Sequence, residues 1–184
     1  MYSMSRSSAL VSMANRQFDA LPPTVVYTNE DLEISYCSKC PTERTNLVLC
    51  LIEKNMSEYT EWNLLEKRND VSQCRFLFAN LGEFFCGFLS FKFVMEDKRP
   101  VMYVYELQVD PAFVGRQIGT QLLKAAESFC VQNCGISEFF LTCSSKNLPA
   151  IHFYQKMNFH TDKSSPGNAK YVLLSKKFTK HPNV

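Results

Sequence analysis

The chain has no strong excess of charge of either sign: 20 Lys and Arg stand against 18 Asp and Glu, for a formal charge of +2 over 184 residues. That balance excludes the broad basic surface on which nonspecific nucleic-acid binding rests, so no nucleic acid is expected as a direct partner. Long apolar runs are missing too. No stretch approaches the roughly 20 residues needed to cross a bilayer, so no membrane partner is expected. The run Ala9-Leu10-Val11 is far too short for the core of a secretory signal. Internal repeats and low-complexity tracts are absent, which removes solenoid and linker readings. Eight cysteines without a secretory signal point to a reducing compartment, and Cys50, Cys74, Cys86, Cys130 and Cys143 read as small core hydrophobes. Cys37-Ser-Lys-Cys40 has zinc-knuckle spacing, but Cys130 and Cys134 fall on a predicted helix and give no second ligand pair, so no metal is expected.

What remains is material for a core: 46% of residues are hydrophobic and 15 are Phe. The length fits one domain, expected over residues 23–178. Residues 1–22 read as an arm, since the first 16 carry serines, two arginines and no acid; a short amphipathic helix or a disordered arm is preferred over a transit peptide. Residues 179–184 read as a flexible tail.

Glu33–Cys37 reads as a short strand after Pro22-Pro23, and 43–67 as mostly helical with a break at 55–58. Three strands then follow in an antiparallel meander: 75–80, 84–95 and 102–109, the last two joined by the charged turn 96–100. A helix over 119–133 and a strand over 137–143 complete a strand-helix-strand unit, which favours parallel pairing. A second short helix spans 149–157, with Asn147 as its cap, and strands are expected near Phe159 and over 170–178.

The centre of the chain is Met102–Leu123. Its strand alternates Tyr103, Tyr105, Leu107 and Val109 against Met102, Val104, Glu106 and Gln108, which sets a carboxylate among apolar neighbours. The loop Val114-Gly115-Arg116-Gln117-Ile118-Gly119 leads into a helix whose first N–H groups have no intrahelical partner, a potential phosphate site.

Two motifs carry a resemblance. Val-Asp-Pro followed by Val-Gly-Arg-Gln-Ile-Gly-Thr-Gln-Leu-Leu, and the later Asn-Leu-Pro-Ala-Ile-His-Phe-Tyr-Gln-Lys-Met-Asn-Phe, resemble the two signatures of the GNAT superfamily of acetyl-CoA-dependent N-acetyltransferases. Tyr103-Val104-Tyr105-Glu106-Leu107-Gln108 and Asp162-Lys163-Ser164-Ser165-Pro166, with further stretches from Asn55 onward, are most similar to its NatD branch, which acetylates histone tails beginning Ser-Gly-Arg-Gly. The resemblance implies an α+β fold: a central, mostly antiparallel sheet with one parallel, splayed strand pair, flanked by helices. It implies acetyl-CoA as donor, histone N-terminal peptides as substrate, a monomer, and a cytoplasmic and nuclear location. In the family loop a glycine usually stands where this chain has Gln117, and Val114 replaces Arg or Gln. A side chain at 117 fits if its φ is negative, whereas a positive φ weakens the hold on the cofactor.

By the same resemblance, the backbone of Leu107, Gln108 and Val109 pairs with the pantetheine, Gly115, Arg116, Gln117, Ile118, Gly119 and Thr120 cradle the phosphates, and Asn147 reaches the cofactor arm. Glu106 is the expected general base, acting through a water, with a pKa raised by apolar neighbours. The alternative is a half-buried strand carboxylate paired with a lysine. Tyr154 is either the acid for the departing thiolate or a core aromatic. Tyr59, Trp62, Tyr105, Thr142, Ser164 and Tyr171 would line a peptide slot, and Glu96 would read the substrate arginine, its alternative being a solvated hairpin turn. A GNAT acting on a lysine or small amine, and a noncatalytic acyl-CoA-binding protein, are the rival functions.

Overall fold

The computed structural model describes residues 5–59, 63–167 and 170–178. Among these residues eight strands form one sheet: β1 (Thr24–Asn29), β2 (Leu32–Cys37), β3 (Arg75–Leu81), β4 (Phe84–Glu96), β5 (Arg99–Val109), β6 (Glu138–Ser144), β7 (His160–Thr161) and β8 (Tyr171–Lys177). Their order is β1-β2-β3-β4-β5-β6-β8-β7. Every pairing is antiparallel except β5 with β6. The helix α4 (Ile118–Asn133) makes the crossover between those two. The α+β architecture with one parallel pair is the one expected.

Two apolar layers sandwich the sheet. On one side, α1 (Arg6–Ala20), α4 and α5 (Leu148–Lys156) bury Phe18, Leu122, Ala126, Phe129 and Tyr154 against Ile34, Leu77, Phe91 and Leu141. Phe18 is fully buried, and its ring meets Tyr36, Phe91, Phe93 and Phe129 edge-on or nearly so. On the other side, α2 (Thr42–Met56) and α3 (Leu64–Gln73) bury Val48, Ile52 and Val71 against Phe76, Phe78 and Phe88. Burial of these rings, each worth roughly 1.5–3 kcal/mol, ties the helices to the sheet more firmly than helix propensity does.

The helical stretch expected over 43–67 is two helices, broken as expected after Met56, but α3 runs on to Gln73. It begins where the Asn63 carboxamide oxygen accepts from the N–H groups of Leu65 and Glu66. Strand β1 was not legible as a strand; it is an edge whose exposed ends carry little apolar patterning. The turn between β4 and β5 is shorter than its run of charges suggests. Asp97 and Lys98 both take positive φ, 45° and 63°, so two residues close the hairpin and Arg99 and Pro100 belong to β5.

The alternation read along β5 breaks at one residue. Ser90 pairs with Glu106 and Phe91 with Val104, which leaves Tyr105 as an extra residue with nothing opposite it. Before this bulge, Met102 and Val104 face the α1/α4 core; after it, Leu107 and Val109 do. Glu106 and Gln108 therefore turn to the opposite side, toward α2 and α3, instead of sharing a face with Met102 and Val104.

Candidate active site

Beyond the bulge, β5 parts from β6. Their parallel pairing covers Met102–Val104 against Phe139–Leu141, three residue pairs among the described residues. Glu106 to Val109 lie past the last pair, and the gap opens into a cavity of about 1740 Å³. Leu107, Gln108 and Val109 line one wall of it; Leu141, Thr142 and Cys143 of β6 line the other.

The loop after β5 closes one end. Asp110 accepts from the Ala112 N–H at 2.9 Å and starts a short turn over Pro111–Phe113. Gly115 follows at φ +85° and Gln117 at φ +61°, the latter directly ahead of α4 with no side-chain capping bond. Gln117 therefore holds the left-handed conformation that favours glycine. Gly119 sits where α4 approaches α5, since a Cβ there would lie 3.3 Å from the Phe153 ring. Gly115, Gln117, Ile118, Gly119 and Thr120 all line the cavity. The first N–H groups of α4 and the positive end of its dipole are suited to an anion there. Arg116 does not join them: its guanidinium lies 5.5 Å from the Phe113 ring centre. Asn147 lines the cavity while its carboxamide oxygen accepts from the Ala150 N–H, capping α5 as expected.

Glu106 sits at the middle of the cavity wall in a polar setting that the unbroken alternation did not foresee. Lys67 Nζ donates to its Oε1 at 2.8 Å and Gln108 Nε2 to its Oε2 at 2.7 Å. Asn55 Nδ2 in turn donates to Gln108 Oε1 and to the Val109 carbonyl, both at 3.0 Å. The lysine partner weighed for a half-buried glutamate is thus present. Burial opposes the Lys67 ammonium, but the charge and hydrogen bond of Glu106 prevail, and the pKa of Lys67 is raised.

Tyr154 lines the cavity and is buried, packed edge-on against Phe153 and Phe159, so it is a core aromatic and a wall residue at once. Burial pushes its hydroxyl well above the usual tyrosine range, with Cys143 and Glu106 adding to the shift, so it carries its proton at neutral pH.

The far end of the cavity is aromatic and hydroxylic. Tyr59, Tyr105, Thr142 and Tyr171 line it. Tyr103 joins them, missed because the alternation gave no reason to prefer it over its neighbours; its hydroxyl lies 2.6 Å from Thr142 Oγ1 and its ring 5.0 Å from Tyr105. Ser144 Oγ donates to the Tyr59 carbonyl at 3.2 Å and fastens the turn after α2 to β6. Ser164 is placed elsewhere: its hydroxyl donates to Asp162 at 2.6 Å, and Asp162 receives both guanidinium nitrogens Nη1 and Nη2 of Arg99. Glu96 lies at the β4–β5 hairpin, outside the cavity lining. Trp62 lies outside the described residues.

Residues 43–159 match the family model described as "Acetyltransferase (GNAT) family", well over half of the chain. The chain belongs to the GNAT acetyltransferase family. Solved structures of similar shape include Arabidopsis thaliana Naa50 in complex with the bisubstrate analogue CoA-Ac-MVNAL, at 17% identity and a TM-score of 0.59, covering 79% of this chain and 99% of that one. Ard1 from Thermoplasma volcanium matches at 17% identity and a TM-score of 0.62, covering 81% and 99%. PaiA N-acetyltransferase from Thermoplasma acidophilum, solved with coenzyme A, matches at 18% and 0.61, covering 79% and 99%. At such identities the shared property is the GNAT fold. Its parted strands and glycine loop are the parts of this chain that form the cavity.

Proposed function

We propose that this GNAT protein is a NatD-type N-terminal acetyltransferase that transfers acetyl from acetyl-CoA to the α-amine of histone tails beginning Ser-Gly-Arg-Gly. The observation that carries the reading is the position of Glu106, at the point where β5 and β6 part, with the loop of α4 on one side and the cluster Tyr59, Tyr103, Tyr105, Thr142 and Tyr171 on the other. A donor enters from the first side and a peptide from the second. The Tyr-x-Tyr-Glu strand and the Ser-Ser-Pro loop, which resemble the NatD branch, support the histone assignment.

Acetyl-CoA supplies an acetyl thioester, and the residues present suit it. The N–H groups of Ile118, Gly119 and Thr120 meet its pyrophosphate, and the backbone of Leu107, Gln108 and Val109 pairs with its pantetheine arm. Glu106 takes the proton of the acceptor ammonium, directly or through a water, so that a neutral amine attacks. Tyr154, protonated and buried beside the gap, gives its proton to the sulfur as the C–S bond breaks, and the proton that the attacking nitrogen sheds on forming the amide restores it. Glu96 and Asp97, at the hairpin, meet the substrate arginine. Localisation in cytoplasm and nucleus belongs to the same proposal.

Thiol release from acetyl-CoA with a Ser-Gly-Arg-Gly peptide tests it. The expected result is faster release than with peptides beginning Met or Ala. Equal rates sink the histone assignment, and acetylation of lysine in a peptide with a blocked N-terminus moves the function to a lysine acetyltransferase.

A further inference from the structure

Lys67 reaches the cavity from α3 and carries no motif. The two oxygens of Glu106 that it shares with Gln108 are held in different ways. Gln108 is buried, 5% exposed, and its amide is fixed at both ends: Nε2 donates to Glu106 Oε2, and Oε1 accepts from Asn55 Nδ2. Asn55 is itself fixed, because the same Nδ2 also donates to the Val109 carbonyl. This chain of amides, running from α2 through β5, anchors Oε2. Oε1 has only the tip of a long, flexible side chain on it among the described residues, with Lys67 29% exposed.

A primary ammonium on a flexible stem is the same chemical group as the acceptor amine before it loses its proton: one positive charge and three N–H donors. Two such groups on one carboxylate oxygen repel each other, so the acceptor and Lys67 compete for Oε1.

We propose that Lys67 is a placeholder for the acceptor's ammonium, holding Glu106 Oε1 and giving it up when the amine arrives. The acetylated product carries no charge and does not hold the carboxylate, so Lys67 returns to it. Lys67 is thus a specificity-determining residue that sets how strongly the site prefers a free amine over its acetylated form. The inference rests on Glu106 being the group that meets the acceptor amine.

The test compares wild type, Lys67→Met and Lys67→Arg by calorimetry, each saturated with CoA and titrated with the Ser-Gly-Arg-Gly peptide in its free and N-acetylated forms. With the competitor removed, Lys67→Met binds the free peptide about five- to tenfold tighter and the acetylated peptide as before. Lys67→Arg keeps the wild-type ratio of the two affinities. Lys67→Gln, also uncharged, repeats the comparison if the methionine variant does not fold, with retained CoA binding as the check on folding. A Lys67→Met protein that binds the free peptide no tighter than wild type, or whose affinities for both forms change by the same factor, overturns the proposal. Wild-type protein that binds neither form sinks the histone reading alone, and the same comparison then runs with glycinamide and N-acetylglycinamide.

Discussion

Gln117 holds φ +61° and ψ 12° at the start of α4, in the loop position where the family signature has glycine. Its conformation costs an L-residue roughly 1–2 kcal/mol through the contact of Cβ with the backbone. Replacing it with glycine removes that cost but adds freedom to the unfolded chain, which takes back about 0.5–1 kcal/mol. Gln117→Gly should therefore stabilise the fold by about 0.5–1 kcal/mol, or raise Tm by about 1–4 °C in a chain of this size. No capping bond is lost, because the Gln117 side chain makes none to the helix. Gln117→Ala is the control, since it trims the side chain yet keeps Cβ and the strain. Thermal unfolding of the three proteins, without ligand and with saturating CoA, reads the result. Glycine should exceed both others, and CoA affinity should rise with it, because the N–H groups proposed to meet the pyrophosphate then need no strained residue to hold them in place. Equal Tm for the glycine and alanine variants would refute the assignment of strain to Cβ.

Glu106→Gln should lower turnover about 100-fold or more while CoA binds as in wild type, measured by steady-state thiol release and by calorimetry. Unchanged turnover would remove Glu106 from the chemistry. Gly87→Ala should destabilise the protein by about 1–3 kcal/mol in urea unfolding, because the new Cβ would collide with the Gln108 carbonyl oxygen across β4 and β5; it should also slow turnover by shifting Gln108. Asp162→Ala should cost about 1–3 kcal/mol, because Arg99 loses its bidentate partner but keeps Glu138 at 2.6 Å. Burial works against the Asp162 carboxylate, but bonds from Arg99 and Ser164 hold its pKa well below the usual range. Its contribution is therefore complete above the unfolded value near 4 and is lost as pH falls below that, so the wild-type advantage over Asp162→Ala should shrink between about pH 4 and pH 2.

The features that could be read from the chain are those whose cause is local. The turn and helix start at 110–120 are specified by Asp110, Pro111, Gly115 and Gly119 within a few residues of one another, and the cap at Asn147 lies beside the helix it begins. The meander follows from short turns between apolar runs. What could not be read depends on partners far away. The bulge at Tyr105 exists because β4 offers no residue opposite it, and nothing in Tyr103–Gln108 alone signals it. One extra residue was enough to put Glu106 and Val104 on opposite faces, and so to change the environment expected for the carboxylate. Lys67 and Asn55 lie 39 and more than 50 positions from the residues they hold. Ser164 carries a hydroxyl that suits a peptide slot as well as it suits a turn, and only the placement of Asp162 decides between them.

The short pairing of β5 with β6 has a consequence for stability. Strands β1 to β5 form one half of the sheet and β6, β8 and β7 the other, joined in the sheet by Met102–Val104 and Phe139–Leu141. Past that seam, the backbone of β5 faces a gap where another sheet would have a neighbour. On the proposed reading a pantetheine chain lying there would supply the missing neighbour, so the donor would complete the sheet as well as react in it. The two halves should then gain protection from hydrogen exchange together when CoA binds, most of all along Glu106–Val109 and the facing end of β6.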